Sequence, residues 1–149
     1  MNEHISLLVM CKLSLRDTVG AMIGQICDRL EKAGEPEGFK YQVTSAFNEA
    51  FNNHAKHGGP ELREKEILIN VTVTDTQLII EFQDDGKTFE LGGTEKPELS
   101  QLRESGMGLF IMRAFMSELY YESGDDRKAN VLRLVRNLTG SKKDASKAQ

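Results

Sequence analysis

Between residues 67 and 84 the chain alternates twice. Ile67, Ile69, Val71 and Val73 are separated by Leu68, Asn70 and Thr72, and after Asp75-Thr76-Gln77 the row Leu78, Ile80, Phe82 and Asp84 repeats the period. A period of two puts each row on one face of a strand, so the segment predicts a hairpin with a single apolar face. Such a face needs a covering layer, and the rest of the sequence supplies helices with apolar stripes. Ile5 to Leu15 reads as a first strand. Arg16-Asp17-Thr18 then introduces a helix carrying Val19, Met22, Ile23, Ile26, Cys27 and Leu30, stopped by Gly34 and Pro36. Tyr41 to His57 reads as a second helix, ended by Gly58-Gly59-Pro60.

Gly86 to Arg103 is glycine-rich and charged, and is expected to be a mobile, lid-like segment with at most a short helix from Glu98 to Arg103. Gly106-Met107-Gly108 opens a nearly all-apolar helix, Leu109 to Met116, expected to lie on the sheet over much of its circumference. Leu119 to Glu122 and Ala129 to Arg136 read as strands around Gly124-Asp125-Asp126. The expected fold is an α+β two-layer sandwich, a mostly antiparallel sheet covered on one face by helices. With 149 residues, 39% of them hydrophobic, one domain over 1–138 is expected, followed by a disordered tail over 139–149.

A net charge of -4 and a pI near 5.4 leave no basic footprint, which argues against nucleic-acid or membrane-surface partners. Met1-Asn2-Glu3-His4 lacks the basic start and apolar core of a signal peptide, and no stretch approaches the roughly 18 apolar residues of a membrane helix. Two cysteines, Cys11 and Cys27, make no disulfide framework; a reducing cytoplasm is the expected location.

Chemistry concentrates in Ser45 to Gly58. At 100° per residue Glu49, Asn53 and His57 form one line, while Val43, Phe47, Ala50, Phe51 and His54 form an apolar stripe about a third of a turn away. A carboxylate beside a carboxamide suits a hard cation such as Mg²⁺, which takes oxygen ligands and borrows the remainder from phosphates and water. Asp84 ends an apolar strand row, where an unsatisfied carboxylate is costly and an exocyclic amine such as that of adenine would be a fitting donor; alone, it also fits the start of the Asp84-Asp85-Gly86 turn. Gly86 leaves room for a planar base. Ser105-Gly106-Met107-Gly108-Leu109 places glycines before a helix whose free N–H groups can receive phosphate, though a tight turn would use them equally. A P-loop and a dinucleotide fingerprint are both absent. His54 and His57 lack the partners of a closed zinc site, and no nucleophile elbow supports Ser-His-Asp catalysis.

These motifs fall in one order: Glu-x-x-x-Asn on a helix, Asp-x-Gly after a strand, Gly-x-Gly before a helix. The order resembles the N, G1 and G2 boxes of the GHKL (Bergerat-fold) ATPases, and the run Ser105 to Met112 followed by Phe115-Met116 is similar to the anti-sigma factor serine kinases of the RsbW and SpoIIAB type. The resemblance implies ATP and Mg²⁺ as cofactors, with Asn53 as Mg²⁺ ligand and Glu49 as general base on a serine hydroxyl. It implies that Asp84 takes the adenine amine and that Gly86 makes room for the base. Thr88 stands where many relatives have a second glycine. Gly106, Met107, Gly108 and Leu109 would cradle phosphate, and His57 would close the end of the site. Implied partners are a STAS-domain anti-anti-sigma protein and a sigma factor or other regulator, with the chain acting as a homodimer. Two departures, Glu104 where a basic residue often precedes the Gly-x-Gly and Ser117 where an acid often follows Phe-Met, point to weakened phosphate clamping. The expected function is therefore a serine/threonine kinase and anti-sigma factor. The alternatives are an ATP-binding capture module of weak catalysis and, with less support, a histidine kinase catalytic domain.

Overall fold

The computed structural model describes residues 2–57, 66–84, 107–124 and 129–140, with backbone only at Lys56 and His57. The elements run β1 (Glu3–Met10), α1 (Leu13–Lys32), α2 (Phe39–His57), β2 (Glu66–Val73), β3 (Gln77–Asp84), α3 (Gly108–Phe115), β4 (Glu118–Glu122) and β5 (Asn130–Asn137). The five strands form one antiparallel sheet in the order β1-β2-β3-β5-β4. This is the α+β sandwich that the strand and helix periods predict.

The β2–β3 hairpin forms the sheet's centre, and its turn follows from Thr74. The Thr74 N–H donates to the Gln77 carbonyl, and the Thr74 hydroxyl oxygen accepts the N–H groups of Thr76 and Gln77. In register, Ile69 faces Phe82, Val71 faces Ile80 and Val73 faces Leu78, all buried. Helix α2 covers this row with Phe47, Ala50 and Phe51; the Phe47 and Phe82 rings stack at 5.6 Å. Each such side chain removed from water contributes roughly 1.5–3 kcal/mol.

β1 stops at Met10 and α1 begins at Leu13, earlier than Arg16, because Leu15 and the residues after it are drawn into helix packing rather than extended pairing. α1 ends in a Schellman motif. Gly34 takes φ 123°, Glu35 N–H donates to Leu30 O and Gly34 N–H to Glu31 O. The Glu35 carboxylate then accepts the Thr139 N–H at 2.7 Å and the Thr139 hydroxyl at 3.1 Å, which ties down the chain just after β5. The remaining tail, 141–149, and the lid-like segment 86–103 lie outside the described residues.

α3 differs from expectation. It lies beside α2 and buries one face only: Leu109 and Met112 are buried in the core, whereas Phe110 is 64% exposed and Arg113 and Ala114 face solvent. Arg136 of β5 explains the placement. Its Nη1 donates to the Phe115 carbonyl at the end of α3 and to Gln42 Oε1 of α2, and its guanidinium lies 5.1 Å above the Phe39 ring. The layer is therefore α1, α2 and α3 side by side with α2 in the middle.

Cys11 and Cys27 are buried free thiols. Burial, reinforced by the Glu31 and Asp28 carboxylates, pushes the Cys27 thiol up to about 12. The unfolded thiol ionises near pH 8.5 while the folded one stays protonated, so Cys27 should lower stability as pH rises from about 8.5 toward 12. Alkylation of native protein at pH 8.5 is expected to proceed at the rate of unfolding; rapid labelling of Cys27 by mass spectrometry would contradict this.

Candidate nucleotide site

The central helix α2 supplies the site's first two groups. Because neighbours flank it, residues one line away from the apolar stripe are not simply solvent-facing. Asn53, in the last turn but one, is 1% exposed, and neither its Oδ1 nor its Nδ2 has a hydrogen-bond partner among the described residues. Burying an amide in this state costs about 1–3 kcal/mol. Glu49, one turn earlier, is half-buried, and no hydrogen bond or ion pair engages its carboxylate among the described residues.

β3 supplies Asp84, 3% exposed and held in a polar cluster. Asn130 of β5 is its cross-strand partner in register and donates from Nδ2 to Asp84 Oδ1 at 2.8 Å. Asn130 Oδ1 in turn accepts the Gly124 N–H at 2.6 Å. On the other side, His54 Nε2 lies 3.6 Å from Asp84 Oδ2. His54 Nδ1 is 2.9 Å from the Ala50 carbonyl, which only accepts, so Nδ1 carries a proton. The imidazole stacks on Phe82 at 5.1 Å. Tyr121 of β4 also belongs to this cluster: burial, with the Asp84 carboxylate nearby, pushes its phenol well above the ordinary range. His54 follows Asn53 directly, so its contact links the end of α2 that carries Asn53 to the end of β3 that carries Asp84.

At α3, Met107 is the exposed N-cap residue, Gly108 and Leu109 are buried, and no side chain among the described residues caps the helix. The first amides of an uncapped helix are available to an acceptor from outside it. The structure thus places Glu49 and Asn53 on α2, Asp84 at the end of β3, and Met107, Gly108 and Leu109 at the start of α3. Gly86, Thr88, Gly106 and the His57 side chain lie outside the described residues. Asn130 and Tyr121 join the Asp84 cluster and were not singled out from the sequence. Their signal was present in part, since Asn130 heads the row Asn130, Leu132, Leu134 just as Asp84 ends the row of β3.

Among the described residues no three His, Cys, Asp or Glu side chains gather into a metal cluster. The donor that does fit a hard cation is the orphaned Asn53 carboxamide oxygen, and such an ion would complete its shell from phosphate and water.

Comparison with known proteins shows the family and the fold. The chain is 28% identical over 150 residues to the anti-sigma F factor of Bacillus subtilis strain 168, covering 95% of this chain and 94% of that one. It is 29% identical over 123 residues to the anti-sigma F factor of Clostridium botulinum strain Eklund 17B, covering 78% and 79%. Among solved structures, the RsbU and RsbW domains of Rv1364c from Mycobacterium tuberculosis match with a TM-score of 0.61 at 18% identity; the match covers 91% of this chain and 32% of that longer one. The SiaB–SiaC complex from Pseudomonas aeruginosa matches with a TM-score of 0.59 at 15% identity, covering 89% and 88%. No helix among the described residues is long and apolar enough to cross a membrane. The histidine kinase-like ATPase domain model matches residues 14–136, from the first helix to the last strand, and the chain belongs to that GHKL family.

Proposed function

We propose that this chain is a Mg²⁺-ATP-dependent protein serine/threonine kinase and anti-sigma regulator that phosphorylates a serine on a STAS-type antagonist. The observation that carries the reading is Asn53, a buried carboxamide with neither polar atom satisfied among the described residues, one turn from a Glu49 that none of those residues engages, on the central helix of an ATPase-family fold. The regulatory half rests on similarity to anti-sigma F factors along nearly the whole chain. The resemblance further implies a homodimer that sequesters a sigma factor or comparable regulator.

In this reading Asp84, held as an acceptor by Asn130, takes the adenine amine. The start of α3, with Met107, Gly108 and Leu109, receives phosphate oxygens, and Gly106 just before it in the sequence is proposed to join them. Mg²⁺ bound through Asn53 Oδ1 would supply neutralisation of the phosphate charge. Glu49 accepts the proton of the incoming serine hydroxyl as that oxygen bonds to the γ-phosphorus and the bond to the ADP oxygen breaks. Added phosphate then gives the antagonist about two negative charges at its docking surface and releases it.

The test is calorimetric titration of the purified chain with ATP, with and without Mg²⁺, beside Asp84→Asn. Wild type should bind ATP more tightly with Mg²⁺. Asp84→Asn should weaken binding roughly 10–100-fold, the worth of a hydrogen bond to a charged acceptor. Absence of ATP binding by the wild type would sink the nucleotide reading. Binding without phosphorylation of any STAS protein would leave a stoichiometric capture module.

A further inference from the structure

The start of α3 can receive phosphate oxygens only if it is held in place, and the opposite end of the helix shows how. The Phe115 carbonyl, at the C-terminal end of α3, accepts from Arg136 Nη1 of β5, and the same nitrogen donates to Gln42 Oε1 at 2.8 Å. Nη1 carries two hydrogens and uses both. The guanidinium lies 5.1 Å above the Phe39 ring, and the Phe115 ring meets the Tyr41 ring edge-on at 5.9 Å. Phe39, Tyr41 and Gln42 all belong to the first turn of α2. One cation therefore joins the last turn of α3 to the first turn of α2, and its charge suits the negative end of the α3 dipole. Because α3 packs on α2, its first residues run from this tie toward the half of α2 that carries Glu49 and Asn53. The helix is short, with Gly108 about 10 Å of helical rise from Phe115. A slip at Phe115 is carried to Gly108 as by a rod. Asn53, 1% exposed and with neither amide atom partnered among the described residues, lies in the half of α2 to which α3 points.

We propose that Arg136 is a positioning residue for phosphate binding: by tying the C-terminal end of α3 to the start of α2, it fixes where the first amides of α3 stand relative to Asn53. It thereby raises affinity for the phosphates of a nucleotide and not for its base. This deepens the ATP-site reading above and rests on it. The physical basis is that charge-assisted hydrogen bonds to phosphate depend on the placing of the donors, whereas the base contacts assigned to Asp84 lie on β3, which Arg136 does not tie.

The experiment is titration of the full chain with Mg²⁺-ATP and, by competition, with adenosine, which lacks phosphates. Both Kd values are read for wild type, Arg136→Met and Gln42→Leu. Wild type should bind ATP more tightly than adenosine. Arg136→Met keeps a flexible side chain over Phe39 but removes the donors, and should weaken ATP about tenfold while leaving adenosine within about twofold. Gln42→Leu cuts the hydrogen bond to α2 and should weaken ATP about threefold, again sparing adenosine; it decides the matter if the methionine variant does not fold. A variant that is only partly folded weakens both ligands by the same factor. Equal losses, or unchanged affinities, would therefore show a purely structural role; either overturns the proposal and leaves the ATP site standing. A wild type that binds ATP no more tightly than adenosine, or binds neither, overturns both.

Discussion

Glu49→Gln is expected to bind Mg²⁺-ATP within about threefold of wild type and to transfer phosphate 10²–10⁴-fold more slowly, the range over which a positioned general base acts. The prediction follows from what Glu49 does not do. Other acidic residues of this chain have structural partners: Glu81 accepts two N–H groups of Arg133, Glu35 holds Thr139, and Glu3 pairs with Arg29. Glu49 has none of these, yet it is half-buried on the central helix, one turn from Asn53. Substitution therefore removes little from the fold, and thermal denaturation of Glu49→Gln should match wild type closely. Single-turnover phosphorylation of a STAS-type substrate by radiolabelled ATP separates the steps. A variant that transfers phosphate at the wild-type rate would remove Glu49 from the chemistry.

Asn53→Leu is expected to abolish the gain in ATP affinity produced by Mg²⁺ and, at the same time, to stabilise the ligand-free protein. Two buried polar atoms without partners among the described residues are a standing cost of about 1–3 kcal/mol each in mutational terms. An apolar side chain of similar shape removes that cost, so the melting temperature without nucleotide should rise by several degrees. Wild type should recover the difference only when nucleotide and Mg²⁺ are added, since a ligand that binds the native state stabilises it by mass action. Opposite signs in the two measurements are the signature of a side chain kept for a ligand at the expense of the fold. If Asn53→Leu lowers the melting temperature and keeps the Mg²⁺ effect, Asn53 is structural and the cation belongs elsewhere.

Much of the sheet was legible because its signal is local. The alternation from Ile67 to Asp84 identifies both central strands to within a residue, and the turn chemistry at Thr74 to Gln77 closes them. Helix boundaries were less legible where two periods compete. The run Leu13 to Leu15 can extend a strand or begin a helix, and only packing against the core selected the helix. The placement of α3 was misread for a related reason. An apolar composition does not say how much of a helix is covered: Phe110 is 64% exposed, and Arg136, far along the chain on β5, ties the helix end to α2.

For the candidate site, the sequence by itself singled out the residues proposed to carry chemistry. Helical spacing aligned Glu49 with Asn53, and strand period put Asp84 at the end of a buried row, both from separations of a few residues. Tertiary structure alone decided what surrounds them. Asn130 meets Asp84 from 46 positions away because antiparallel register pairs the end of β3 with the start of β5. His54, four residues past Ala50 on an apolar stripe, reaches the Asp84 carboxylate because α2 packs across that strand end. Local period depends on backbone geometry, which every segment carries with it, whereas a partner across the sheet exists only once the strand order β3-β5-β4 has formed.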